Sequence, residues 1–158
     1  MILMLIFINL QTDSCVFIFF ETKSLGQMEL RISIEEKYAL IQCQAEVRYK
    51  YTLKRIADTE TMWSIVGNDN SFSIQSNGKI KLFPIWSAKE YAQAFCVNER
   101  INCQSVAITL DCFENSVIDF ICEKGLYINV FPTEKEPLGK IVSLNRFAED
   151  LSVFLEDY

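Results

Sequence analysis

The sequence contains no histidine. That removes the usual general base near neutral pH, the commonest metal ligand, and every Ser-His or Cys-His nucleophile pair. Glycine is scarce, with 5 in 158 residues, about 3% against the ~7% of ordinary chains. None stands in a G-x-G-x-x-G or G-x-x-x-x-G-K pattern, so no loop is built to cradle phosphate and no cofactor is expected. Basic residues are in the minority, 15 Lys and Arg against 21 Asp and Glu, for a formal net charge of −6. A general nucleic-acid binder needs the opposite surplus to displace counterions, so nucleic acid is not an expected partner. What remains is half hydrophobic and 23% charged, the balance of a soluble globular protein of one domain.

The first 27 residues differ from the rest. Two apolar runs, 1–8 and 15–20, flank Asn9, Gln11, Thr12, Asp13 and Ser14. A membrane span needs ~20 unbroken apolar residues. The apolar side chains here favour insertion by roughly 5 kcal/mol, of which Asp13 takes back ~3. No basic n-region or small-residue cleavage site marks a secretory signal. The expectation is that 1–27 is upstream sequence read in frame and that the protein starts at Met28. A membrane tether and an added apolar hairpin are the alternatives. Residues 28–158 are read as a single globular domain. The extension carries Asp13, Glu21 and Lys23, so the net charge of the remainder is −5.

The six cysteines are Cys15, Cys43, Cys96, Cys103, Cys112 and Cys122. No C-x-x-C occurs and no histidine is available to help, so a zinc site is not expected. The expected role is that of reduced, small buried hydrophobes in a cytoplasmic protein.

Periodicity predicts one long helix from Ile34 to Ala57, with Leu40, Cys43 and Val47 on one stripe continued by Tyr49, Leu53, Ile56 and Ala57. Arg48, Lys50, Lys54 and Arg55 make it locally basic, either as a solvated face or as a docking patch for an acidic partner. Strands are expected at 62–66 and 72–75, split by a turn at Gly67-Asn68-Asp69-Asn70. A three-residue turn at Ser76-Asn77-Gly78 would pair Ile74 with Ile80 and Phe72 with Leu82, with Gly78 left-handed. The next strand, 80–86, holds Pro84, which suggests an edge or bulge. Ser87 and Glu90 then read as a capping box, and Ala88, Tyr91, Ala92, Phe95 and Cys96 as the buried face of a helix.

A strand at 105–110 leads into a helix capped by Asp111, with Phe113, Val117, Phe120 and Ile121 buried and Gly125 as its stop. Strands at 126–131 and 140–144 precede a last helix capped by Asn145, with Phe147, Leu151, Phe154 and Leu155 buried. Glu156 and Asp157 sit at its unfavourable, negative end. The fold class is therefore α+β, a mixed, mostly antiparallel sheet of about five to six strands with about four helices packed on it.

Phe83-Pro84-Ile85-Trp86-Ser87-Ala88-Lys89-Glu90-Tyr91-Ala92 carries a family resemblance. Upstream, Tyr51, Lys54-Arg55-Ile56-Ala57-Asp58 and Met62-Trp63 add to it, as does Tyr127-Ile128-Asn129-Val130-Phe131-Pro132 downstream. Together they resemble the bacterial domain of unknown function 2750, over roughly Ala45 to Tyr158. The order of elements is also similar to that of SseB-type N-terminal domains. The resemblance implies a bacterial, cytoplasmic, single-domain protein and brings no active site.

Trp63, Trp86 and Tyr91 are the strongest individual residues, as packing or as an aromatic contact surface. Glu90 reads as a helix cap or as a ligand-binding carboxylate beside Trp86. Cys112, in the first turn of its helix, is the best-placed cysteine, but Asp111 and Glu114 oppose its thiolate. Asp58 with Glu60, and Asp111 with Glu114, are the paired carboxylates. The expected function is a non-catalytic protein- or peptide-binding accessory module, immunity-like, that masks a basic partner. The alternative is a small hydrolase or transferase using carboxylate or cysteine chemistry.

Overall fold

A computed structural model describes residues 32–98 and 102–156. The expectations for 1–27, Met28, Cys15 and Asp157 lie outside the described residues. Among the described residues the molecule is α+β, with six strands in two sheets and five helices. The helices are α1 (Ile34–Gln42), α2 (Ala45–Thr59), α3 (Lys89–Asn98), α4 (110–123) and α5 (Leu144–Leu155). The strands are β1 (Thr61–Gly67), β2 (Gln75–Asn77), β3 (Ile80–Ile85), β4 (Cys103–Thr109), β5 (Tyr127–Val130) and β6 (Lys140–Val142).

The first helix of the sequence reading is two helices. Cys43 and Gln44 are extended, with ψ of 156° and 153°. No glycine or proline announces the break. It turns the Cys43 carbonyl toward the guanidinium of Arg48, which donates to it. After the break, α2 buries 48 and 49, 52 and 53, then 56 and 57, an apolar-side stripe of period 3.6 with Arg48 at its head. Val47, expected on the stripe, is half exposed.

β1 and β4 pair antiparallel from Thr61 opposite Thr109 to Gly67 opposite Cys103. The second sheet runs β2-β3-β5-β6, with β3 and β5 parallel and the other pairs antiparallel. The two sheets meet where Trp63 and Trp86 exchange backbone hydrogen bonds of 2.9 and 2.8 Å. β5 lies between β3 and β6 and buries Ile128, Asn129 and Val130 alike, the signature of a strand covered on both faces.

The hairpin turn departs from the sequence reading. Gln75 faces Leu82 and Asn77 faces Ile80, so the loop is the two residues Gly78 and Lys79. Gly78 has φ 61°, as expected, but at the first position of a two-residue loop, where glycine suits a type II′ turn. The polar Gln75 opposite an apolar Leu82 is explained by its amide oxygen, which accepts from buried Asn129 at 2.7 Å. Phe72 makes only an isolated bridge to Val66. Pro84 is on an inner strand, but past the end of the β2 ladder, so its missing N–H costs no bond there. Its carbonyl accepts from Ser64 Oγ at 2.7 Å.

Three expected caps are corrected. Ser87 Oγ is buried without a partner and Glu90 is exposed, so the capping box does not form. Thr109, not Asp111, caps α4 through Cys112 N, and Ser143, not Asn145, caps α5 through Arg146 N. In the last two the hydroxyl precedes the first helical residue, where it reaches the orphan amide of the third. α4 carries a π-helical turn at Phe113–Val117, which keeps Phe113, Val117 and Ile121 all buried. Gly125, at φ 60°, ends it as expected.

The cysteines are also corrected. Cys96 and Cys103 form a disulfide joining α3 to β4, while Cys43, Cys112 and Cys122 are free. The core lies between the sheets and α2, α3, α4 and α5. Trp86 packs on Phe95 at 5.2 Å, Phe113 on Phe147 at 5.8 Å, and Phe72 on Phe83 at 5.1 Å. No helix among the described residues is long and apolar enough to cross a membrane.

Candidate functional site

β5 is followed by Phe131, a bulky residue held at φ 55°. Left-handed backbone is costly for such a side chain and persists only where its surroundings over-determine it. Here they do. Phe131 N donates to Ile85 O at 2.8 Å. Arg48 Nε donates to Phe131 O at 3.2 Å, and the guanidinium lies 5.9 Å from the Phe131 ring centre. The Trp86 indole N–H donates to the next carbonyl, Pro132 O, at 2.9 Å.

The loop that follows is equally fixed. Glu136 accepts from Arg48 Nη2 at 2.7 Å, and Thr133 and Glu136 bond each other through N–H to O and N–H to Oγ1. Buried Asn129 donates to Pro137 O and accepts from Gly139 N. Gly139 passes so close to Val130 O that any Cβ there would collide with it.

This wall bounds a hollow of about 80 Å³, whose other sides are Ile41 of α1, and Tyr91, Ala94 and Phe95 of α3. Tyr91 packs on Phe131 with ring centres 4.5 Å apart. It is only 3% exposed, and its hydroxyl lies beside that of Tyr51 without forming a hydrogen bond of good geometry. Burial, reinforced by Tyr51 and Glu36 nearby, pushes the hydroxyl far above the ordinary phenol range. Beside it, Tyr51 donates to the Glu36 carboxylate of α1, and Arg55 approaches the Tyr51 hydroxyl at 3.5 Å.

Cofactor pockets run to hundreds of Å³, so a space of this size takes one side chain. Its lining is aromatic and aliphatic, with Glu134 and Lys135 at the rim.

The sequence-expected residues divide. Trp86 is wholly buried and acts as a clamp on Pro132, not as a contact surface. Trp63 is half-buried, bonded to the Trp86 backbone, with Lys89 Nζ 6.0 Å from its ring centre. Glu90 is exposed on α3. Tyr91 alone of the four lines the hollow.

The basic patch loses its first member. Arg48 is fully buried and ion-paired to Glu136, because it heads the buried stripe of α2. Lys50 and Lys54 are exposed, Lys54 facing Asp58 at 3.3 Å, and Arg55 is half-buried. Cys112 is half-buried, and burial followed by the charge of Asp111 raises its thiol pKa.

Phe131 and Asn129 are not among the site residues expected from sequence, and Arg48 is expected there only as part of a solvent-facing patch, not as a buried clamp. Asn129 had a signal, a lone amide inside the apolar run Tyr127–Phe131. Arg48 had one too, since 48, 52 and 56 fall in register on a helix.

The architecture defines a small α+β domain in which a strand-ending Phe-Pro is clamped by the Trp of a strand-to-helix turn. Residues 49–151 match the family described as "Protein of unknown function (DUF2750)", and the chain belongs to that family. No curated protein matches the chain.

Proposed function

We propose that the chain is a non-catalytic binding module that takes a protein or peptide partner at the Tyr91–Phe131 hollow. A single apolar side chain of the partner enters the space beside Tyr91, a backbone carbonyl of the same segment accepts from the Tyr91 hydroxyl, and basic residues flank it, as the acidic balance of the chain favours. The observation that carries this reading is the hydroxyl of Tyr91, a residue that lines the hollow, which is buried without a hydrogen bond of good geometry. An unmade buried hydrogen bond costs about 1–3 kcal/mol, and a partner that accepts from it recovers that cost. An accessory or immunity-like role, in which the module masks a basic protein, belongs to the same reading. For the hydrolase alternative, the raised Cys112 thiol is the wrong direction for a nucleophile.

The test is selection of displayed random peptides on the full chain, with Ala94→Phe as the counter-selection. Ala94 lines the hollow, and a phenyl group there fills it. The expected result is a family of peptides with an apolar residue beside Lys or Arg, retained by the natural chain and lost on Ala94→Phe. Retention of the same peptides by both forms would overturn the reading.

A further inference from the structure

The two sides of the hollow differ in how firmly they are held. The Phe131–Gly139 side is tied by Arg48, Trp86 and Asn129 to three other elements. The α1 side is not. Of the nine residues of α1, Leu40 alone is buried, while Ile34 and Tyr38 are 71% and 67% exposed. An element with so little buried apolar surface opens locally at a free energy well below that of global unfolding. Two further features suit opening as a unit. The extended pair Cys43-Gln44 separates α1 from α2, and Arg48 anchors the Cys43 carbonyl on the α2 side of that joint. At the other end, Glu36 accepts a hydrogen bond from the Tyr51 hydroxyl on α2.

We propose that α1 is a hinged lid over the hollow: Cys43-Gln44 is its hinge, Glu36–Tyr51 its latch, and Ile41 the wall it removes on opening. Release of the latch frees the Tyr51 hydroxyl beside that of Tyr91, and withdrawal of Ile41 widens the hollow so that a partner's side chain enters. The regulation of entry rests on the hollow being the binding site, whereas the hinge itself does not.

Amide hydrogen exchange on the full chain tests the hinge. In the natural protein, amides of 38–42 exchange at least a hundredfold faster than those of 52–58 in α2. Tyr51→Phe removes a hydrogen bond to a charged group, and Glu36→Gln weakens it. Each variant is expected to accelerate 38–42, Tyr51→Phe by about tenfold, with 52–58 unchanged. Exchange of α1 in step with α2, or no acceleration in either variant, would overturn the lid.

Gating is read with a peptide that Ala94→Phe rejects. Its association with Tyr51→Phe is severalfold faster than with the natural chain, and an equal rate overturns gating. A hinge that opens as described while no Ala94-sensitive peptide is found upholds the lid and removes the binding reading.

Discussion

Trp86 and Pro132 are 46 residues apart in sequence and joined by a 2.9 Å hydrogen bond from the indole N–H to the carbonyl. The bond ties the turn after β3 to the turn after β5, the two parallel neighbours of the second sheet. It also explains why a fully buried Trp carries no unsatisfied donor. Arg48 clamps the preceding carbonyl, so two consecutive carbonyls are held, and Phe131, whose own N–H is bonded to Ile85 O, stays left-handed.

The clamp predicts unequal effects from its two charged members. Arg48 is buried and serves the carbonyls of Phe131 and Cys43 as well as Glu136. Glu136 has a side chain 55% exposed, and water takes over much of its role if it is neutralised. Arg48→Met is expected to cost about 3–4 kcal/mol, since it leaves buried acceptors unmet. Glu136→Gln costs about 1 kcal/mol or less. Urea unfolding at neutral pH measures both, and equal losses would mean that the ion pair, not the carbonyls, is what Arg48 serves.

The disulfide predicts a reductant-dependent stability. Cys96 and Cys103 are seven residues apart, and closing so short a loop removes about 2.5 kcal/mol of unfolded-chain entropy. A phosphine reductant is expected to lower the unfolding free energy by about 2 kcal/mol. The double variant Cys96→Ala, Cys103→Ala should match the reduced protein and ignore the reductant. A natural chain with the same urea midpoint with and without reductant would contradict this.

Much of this architecture is legible in the chain. The element order follows from period and punctuation, because Gly67, Gly78 and Gly125 fall at strand and helix ends and the stripes of α3, α4 and α5 are regular. The misplaced caps are local, but the errors of register, helix break and burial share a cause, which is that tertiary partners override local pattern. The hairpin register follows Gln75 to Asn129, not apolar to apolar. The break at Cys43-Gln44 serves Arg48. Arg48 reads as a solvated base because the carbonyls that receive it belong to Phe131, 83 positions away, and to Cys43, across a helix break that no local signal marks. Tyr91 was legible as an aromatic anchor, but the hollow beside it depends on the left-handed Phe131, which nothing local to β5 announces.

The titration of stability has two limbs with opposite causes. Asp150 is raised by its partial burial, but the hydrogen bonds from Arg146 and Tyr49 outweigh this and hold it below the usual carboxylate range. Glu46 is lowered chiefly by its hydrogen bond from Lys140. Depressed carboxylates contribute stability that is present above the unfolded pKa of about 4 and lost as pH falls through the folded values. Tyr49 and Tyr91 are raised, chiefly by burial. Their contribution is complete below the unfolded value of about 10 and is lost as pH rises beyond it. Urea midpoints are expected to hold level from pH 5 to 9 and to fall on both sides. Asp150→Asn should blunt the acid limb and, because Asp150 also helps to raise Tyr49, soften the alkaline limb, and a midpoint unchanged from pH 5 to 3 would refute the acid limb.

Tyr91→Phe separates stability from binding. The hydroxyl is buried without a hydrogen bond of good geometry, so it was desolvated on folding with little in return. The ring packs on Phe131, and phenylalanine keeps that contact. The variant is therefore expected to be more stable by about 1 kcal/mol, a rise of about 4 °C in melting temperature. Peptides selected for the hollow should bind it about tenfold more weakly, because the donor they satisfy is gone. A group kept at a cost to stability and needed for association has the pattern expected of a binding residue. If Tyr91→Phe instead lowers the melting temperature and leaves peptide affinity unchanged, the hydroxyl serves the fold, and the hollow loses the observation on which its assignment rests.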